Sequence, residues 1–278
     1  MASMKRKPIV ATTIAVLLAA ALLAGLWWAS RPREPAAANE APREAAVPAP
    51  AASSSGPAEP ASRYPVDTAQ SDQSAAPLDF RGALDDLFGA RTVASTFLVD
   101  DFARRFVATI DNLGRSGASS RLWPVVPAAG RFSVAEADGG ATIAAANAAR
   151  YEAFVRLIEG VDLRRAAGAY AQLYPALQRA YEELGYPKSY FNDRFVDVLD
   201  LLLATPEPAS PAKVHLPTVN GPVQPQRPWV LYEFDDPQLE SLAAGQKILV
   251  RMGLDNERRV KARLAELRGL IAATPTRR

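Results

Sequence analysis

The stretch Asp162–Leu203, DLRRAAGAYAQLYPALQRAYEELGYPKSYFNDRFVDVLDLLL, decides how the folded part of this chain reads. Tyr170, Tyr174, Leu177, Tyr181 and Leu184 recur at spacings of four, three, four and three, which puts them on one face of an α-helix. Asp162 offers an N-cap ahead of this helix and Gly185 a stop behind it. Pro175 lies inside it and predicts a kink, because its ring clashes with the preceding turn. Past the turn at Gly185-Tyr186-Pro187, the segment Tyr190–Leu203 repeats the pattern with Phe191, Phe195, Val198, Leu199 and Leu202. Two amphipathic helices joined by a tight turn predict a helical core.

Working outward, Asn147–Glu159 places Tyr151, Phe154, Val155 and Ile158 on one face, ended by Gly160. Upstream, Asp79–Phe88 reads as a short helix stopped by Gly89. Phe102, Phe106 and Ile110 mark another that stops before the Gly114–Ser120 loop. Leu122–Pro127 reads as extended, and Arg131–Ala137 with Ala141–Ala144 as a hairpin around Asp138-Gly139-Gly140. Downstream, Lys213–Leu216 and Trp229–Phe234 are expected strands, with a turn at Asn220-Gly221-Pro222. Asp236-Pro237 opens a helix expected to run to Gly253, and Asp255 is the expected cap of the last one. The fold class is therefore mainly α with a small β component (α+β), as one globular domain over residues 78–278.

The first 77 residues read differently. Lys5, Arg6 and Lys7 precede an uncharged run over residues 8–30 that ends in Trp27 and Trp28. As a helix its 23 residues reach roughly 34 Å, enough for a hydrocarbon core of about 30 Å. Basic residues before the run and tryptophans at its far end predict a single-pass anchor. Residues 1–7 would then be cytoplasmic and the C-terminal domain periplasmic, at a bacterial inner membrane. A cleavable signal peptide fits less well, since the small residues a peptidase needs fall late, at Ala36-Ala37-Ala38. In residues 31–77, Ala, Pro and Ser fill 29 of 47 positions (14, 9 and 6), a composition expected to form a disordered spacer of about 35–40 Å.

Composition excludes several chemistries. There is no cysteine and only one histidine, His215, so thiol catalysis, disulfides and His/Cys zinc sites are out, and no metal or cofactor is expected. Residues 78–250 hold 17 basic and 21 acidic side chains, net −4, whereas 251–278 hold 8 and 3, net +5. That near-neutral domain, in that compartment, argues against nucleic acid. No phosphate-binding glycine loop, nucleophile elbow or calcium loop occurs.

An ordered series of short motifs carries a resemblance. It runs through Leu122-Trp123-Pro124, Gly130-Arg131-Phe132, Ala149-Arg150-Tyr151 and Leu173-Tyr174-Pro175. It continues through Tyr181–Pro187, Phe191-Asn192-Asp193-Arg194, Leu203–Pro208, Arg227–Phe234, Ala244-Gly245-Gln246-Lys247 and Arg251-Met252-Gly253. Together these resemble the bacterial domain-of-unknown-function family 3014 over nearly all of residues 80–270. The resemblance implies an envelope-type domain behind an N-terminal anchor, and no catalytic residue or cofactor. One departure is Ala144–Ala148, where a more distinctive helix start is expected.

Candidate chemistry concentrates between Tyr181 and Arg194. Glu182, Glu183 and Asp193 stand near Tyr186, Tyr190 and Arg194, a set that could line a saccharide cleft. Glycoside hydrolysis needs two facing carboxyl groups about 5–9 Å apart. Glu182 and Glu183 diverge by about 100° on a helix, so the weak catalytic candidates are Glu183 and Asp193 working across the turn. The structural alternative has Asp193 and Arg194 fixing the turn and the tyrosines in the core. Trp123, Trp229 and Tyr232 beside proline-rich segments could form a groove for a peptide or sugar chain. Arg258, Lys261 and Arg268 form a basic face on the last helix, suited to an acidic partner or anionic lipid. The leading expectation is an anchored envelope protein that binds an envelope protein or cell-wall polymer. The alternative is a carbohydrate-active hydrolase using Glu182, Glu183 or Asp193.

Overall fold

The computed structural model describes residues 61–68, 79–137, 139–218 and 226–273. The expected anchor at 8–30, most of the expected spacer, Asp138 and the Asn220-Gly221-Pro222 turn lie outside them. Among the described residues, no helix is long and apolar enough to cross a membrane.

Nine helices and four short strands follow in chain order among the described residues: α1 Phe80–Phe88, α2 Ala90–Thr96, α3 Phe102–Leu113, β1 Val134–Ala137, β2 Gly140–Ile143, α4 Ala146–Glu159, α5 Leu163–Glu183, α6 Phe191–Leu203, β3 Val214–His215, β4 Glu233–Phe234, α7 Pro237–Glu240, α8 Ala244–Arg251 and α9 Leu254–Ile271. The domain is mainly helical with small antiparallel pairs, β1–β2 and β3–β4, which a bridge between Thr142 and Lys213 joins.

Helix α6 is the centre of the molecule and packs on α3, α5, α8 and α9. Its apolar stripe is sealed: Phe191, Phe195, Val198, Leu199 and Leu202 are all buried. Phe106 of α3 meets Phe191 and Phe195 edge-on at 6.0 and 5.9 Å, the arrangement that the ring quadrupoles favour. A smaller cluster of Phe132, Ile143, Val214, Phe234 and Val250 lies beneath the strands. On α5, Tyr170, Leu177 and Tyr181 are buried, and the helix runs unbroken through Pro175. Asp162 caps it by accepting from Arg164 N and Arg165 N.

Several expectations are corrected. Helix α2 escapes periodicity because only Val93 of its seven residues is buried. In place of a strand over Trp229–Phe234 there is a 3₁₀ turn at Pro228–Val230 and a two-residue strand. Pro228 at the first turn position has φ fixed for a helix and no N–H for a ladder. The helix expected from Pro237 to Gly253 is two helices. Ala243 between them is extended (φ −61°, ψ 153°), and Gln246 Oε1 accepts from its N–H at 3.3 Å. Gly253, at φ +87°, starts α9, leaving Asp255 in the first turn, where its charge still suits the helix dipole. The Ala-rich start of α4 is held by Asn147, whose Oδ1 accepts from Ser133 N at 3.1 Å and whose Nδ2 donates to Ser133 O at 2.5 Å.

A further correction concerns residues 61–68, inside the span expected to be a free spacer. They form a strap docked on α6. Asp193 accepts from Ser62 Oγ (3.0 Å), Arg63 N (3.0 Å) and Tyr64 N (2.9 Å). Asn192 Nδ2 donates to Tyr64 O at 2.7 Å, and Arg63 pairs with Asp197 at 2.6 Å. Tyr64 and Val66 pack against the main core, so an Ala/Pro-rich average conceals a local segment with something to bury.

Candidate functional site

Gly185 sets the geometry of the turn between α5 and α6. Its φ of +115° is one that side chains resist. Gly185 N donates to Glu182 O at 3.0 Å and Tyr186 N to Tyr181 O at 3.3 Å, the paired bonds of a Schellman ending. This stacks Tyr186 on Tyr181 with 4.6 Å between centroids. It also carries the Tyr186 hydroxyl to α3, where it donates to Asp111 Oδ2 at 3.3 Å.

Asp111, only 4% exposed, organises this region. Its Oδ1 accepts from Arg194 Nε at 2.9 Å and its Oδ2 from Arg115 Nε at 2.9 Å. Arg194 Nη2 also donates to Asp111 O at 2.8 Å, and Arg115 donates to the Tyr186 hydroxyl. The hydrogen bond to Asp111 raises the pKa of Arg115. Gly114 makes room for the crossing, since a Cβ there would lie 2.8 Å from Arg194 Nη2. The structure thus brings two of the expected residues, Tyr186 and Arg194, onto one buried carboxylate. Sequence reasoning missed Asp111 and Arg115. The available signal was an acid directly after the apolar stripe Phe102, Phe106 and Ile110.

The expected carboxylates are each held by a different group. Asp193 takes the three donors of the strap. Glu183 pairs with Arg104 at 3.0 Å, both exposed, and Glu182 accepts from Gln178 Nε2 at 2.9 Å. Tyr190 stands at the N-terminus of α6, where Gln178 Oε1, rather than a cap from Tyr190, accepts from Phe191 N at 2.8 Å.

The aromatic candidates separate. Trp123 is 1% exposed inside the main core, and its indole Nε1 has no hydrogen-bond partner among the described residues. Tyr232 packs on Phe132 at 5.5 Å, at the strand cluster. Trp229 carries the Arg131 guanidinium 4.1 Å from its ring centre. The basic face is neutralised within the fold. Arg258 and Lys261 converge on Glu207 at 2.8 and 3.1 Å, and Arg268 grips Asp200 at 2.6 Å. His215 Nδ1 lies 2.7 Å from Asp235 Oδ1, both exposed.

A separate cleft of about 190 Å³ opens between the start of α4, the Pro208–Ala212 segment and the α8–α9 turn. Its walls include Ala145, Ala148, Pro208 and Pro211, and two charged residues, Arg251 and Glu257, line it. Arg251 donates to Tyr232 O at 3.1 Å and lies 4.4 Å from the Phe234 ring centre. Burial lowers its pKa to about 10, which leaves it cationic at neutral pH. Glu257 is 1% exposed. Lys261 Nζ pairs with its Oε1 at 3.1 Å. Burial raises the pKa of Glu257.

A family model described as a protein of unknown function (DUF3014) matches residues 102–268. The chain belongs to this family. The matched region begins at the first residue of α3 and ends three residues before the end of α9, so it contains both the Asp111 network and the cleft, while α1, α2 and the strap precede it. No curated protein and no solved structure matches the chain.

Proposed function

We propose that this chain is a single-pass bacterial envelope protein whose family domain, on the periplasmic side, binds an envelope protein or a cell-wall polymer. One observation carries the preference for binding over hydrolysis: the carboxylates around the Tyr181–Arg194 turn are engaged in holding the fold. Asp193 secures the strap, Asp111 locks two arginines, and Glu183 is in an ion pair. A general acid needs a proton to give and a base needs a free lone pair facing substrate; Asp193 and Asp111 already accept from several internal donors. The apolar run at 8–30 and the spacer composition support the anchored placement. Arg258, Lys261 and Arg268 are paired with Glu207 and Asp200, and Arg115 with Asp111; the exposed edge of the turn at Arg115 and Tyr186 is the proposed contact surface.

Crosslinking the full-length protein in its native membranes, followed by mass spectrometry, tests the proposal. A reproducible envelope partner whose capture weakens on Arg115→Glu supports it. Hydrolysis of cell-wall polymer that is lost in the folded Asp193→Asn and Glu183→Gln variants would replace it with the enzymatic alternative.

A further inference from the structure

The strap over residues 61–68 is bound to α6 in the manner of an extended peptide in a recognition site, where main-chain groups give attachment and side chains give selectivity. Asp193 accepts from the N–H groups of Arg63 and Tyr64 at 3.0 and 2.9 Å, and Asn192 Nδ2 donates to Tyr64 O at 2.7 Å. The side chains of Ser62, Arg63 and Tyr64 are read in turn. Ser62 Oγ donates to Asp193 at 3.0 Å and Arg63 pairs with Asp197 at 2.6 Å. The Tyr64 ring packs against the main core, with the Arg268 guanidinium 6.0 Å from its centre.

The receiving surface is organised by the domain itself. Asn192 is fully buried; it also donates to Ile271 O at 3.1 Å, and its Oδ1 accepts from the Tyr170 hydroxyl at 2.9 Å. Its amide is therefore aimed at the strap by α5 and α9. Arg268 is held in turn by Asp200 at 2.6 Å. Such preorganisation leaves the surface ready for any segment that offers the same groups. All three donors to Asp193 among the described residues come from the strap, so a departing strap opens a carboxylate, an amide N–H and a ring site together. The set that refills them is a hydroxyl, a guanidinium and an aromatic ring on consecutive residues. Ser62-Arg63-Tyr64 is the single place in this sequence where Ser, Arg and Tyr follow one another, and a second copy carries that triplet in the same setting.

We propose that two copies of this chain exchange straps, each strap seating on Asn192, Asp193 and Asp197 of the other copy. Exchange breaks and remakes the same contacts, so bringing two copies together is what opposes it, and swapped elements are for that reason a ready route to dimers. Residues 69–78, between the strap and α1, number ten and span at most roughly 33–36 Å when extended, so the two domains of a swapped pair must lie close together. None of these groups belongs to the edge at Arg115 and Tyr186, and either proposal can fail alone.

The chain has no cysteine, so introduced thiols report the exchange. Two full-length copies with different tags are co-expressed, one with Arg63→Cys and the other with Asp197→Cys, and the cells are treated with a short bismaleimide. The Arg63 and Asp197 side chains are 56% and 46% exposed, and an ion pair so exposed contributes little, so the Asp193 contacts still seat the strap. The expected result is an adduct carrying both tags, about tenfold or more above that from Arg63→Cys with Arg156→Cys, an exposed position on α4. Asp193→Asn in the Asp197→Cys copy should cut the adduct by about tenfold. Tyr64→Ala in the Arg63→Cys copy should do the same from the strap side, and it decides the matter where Asp193→Asn does not fold. The double variant Arg63→Cys/Asp197→Cys in one chain should bridge, which verifies that the reagent spans the pair. An adduct no greater than the Arg156→Cys control, when the double variant bridges within itself, overturns the proposal. So does an adduct that neither Asp193→Asn nor Tyr64→Ala reduces. A double variant that bridges neither within a chain nor between chains also overturns it, because the strap is then not seated on α6.

Discussion

At the scale of single residues, Asp193 ties the strap to α6. Three donors converge on a carboxylate that is 15% exposed, and hydrogen bonds to a charged acceptor are worth about 1.5–3 kcal/mol each at most. Asp193→Asn removes the charge and turns one acceptor into a donor. We expect proteolytic cleavage within residues 61–68 to accelerate by an order of magnitude or more, while the helical core keeps its hydrogen-exchange protection. Asp111 should behave differently, because it lies under two guanidiniums. Asp111→Asn is expected to destabilise the fold by about 1–3 kcal/mol in chemical denaturation, a range held down by the partial exposure of Arg115 and Arg194. Gly185→Ala forces a side chain into φ +115° and should cost about 1 kcal/mol or more. It should also displace Tyr186, readable as increased tyrosine solvent accessibility.

At the scale of elements, Arg259 on α9 clamps α4 by gripping Glu152 at 2.9 Å and Glu159 at 2.6 Å. Hydrogen bonds from Arg259 lower the pKa of both glutamates below the usual 4.5. A carboxylate whose folded pKa is depressed adds stability above its unfolded value and loses it as pH falls through the folded one. Acidification below about pH 4.5 should therefore weaken the α4–α9 contact, and Glu152→Gln with Glu159→Gln should flatten that acid limb in pH-dependent denaturation. Glu257 has the opposite sign. Its raised pKa means that stability declines as pH rises from 4.5 through its folded value, and Glu257→Gln should remove that decline. The elements legible in the sequence were those with one apolar stripe and a clear stop, such as α5 with Asp162 and Gly185, and α6 with its phenylalanines. Helix α2 buries one side chain and so leaves no periodic trace. The α7–α8 break depends on where Gln246 points, which spacing does not encode.

At the scale of the whole molecule, the site was less legible than the fold because its partners are far apart in the chain. Arg194 was singled out from the Phe191–Arg194 motif, but its counter-charge, Asp111, lies 83 residues away. The strap was hidden for the same reason, since its acceptor lies 129 to 131 residues from Ser62 and Tyr64. A chain truncated just before residue 61 keeps the strap and serves as the reference. One truncated just before residue 79 loses the strap, uncovers Asn192 and Asp193, and should melt lower by several degrees, at roughly 2–4 °C per kcal/mol for a domain of this size. Calorimetry of the two fragments separates these outcomes.

The strap also determines where a mechanical load enters the domain. Tension arriving along the chain from residue 60 meets the cluster at Asp193 and the Arg63–Asp197 pair before it reaches α1. Those bonds share it among Ser62, Arg63 and Tyr64. The force therefore passes into α6, whose apolar stripe is buried, before it reaches α1. In this arrangement the strap is a strain relief, of the kind that protects a cable where it enters its housing.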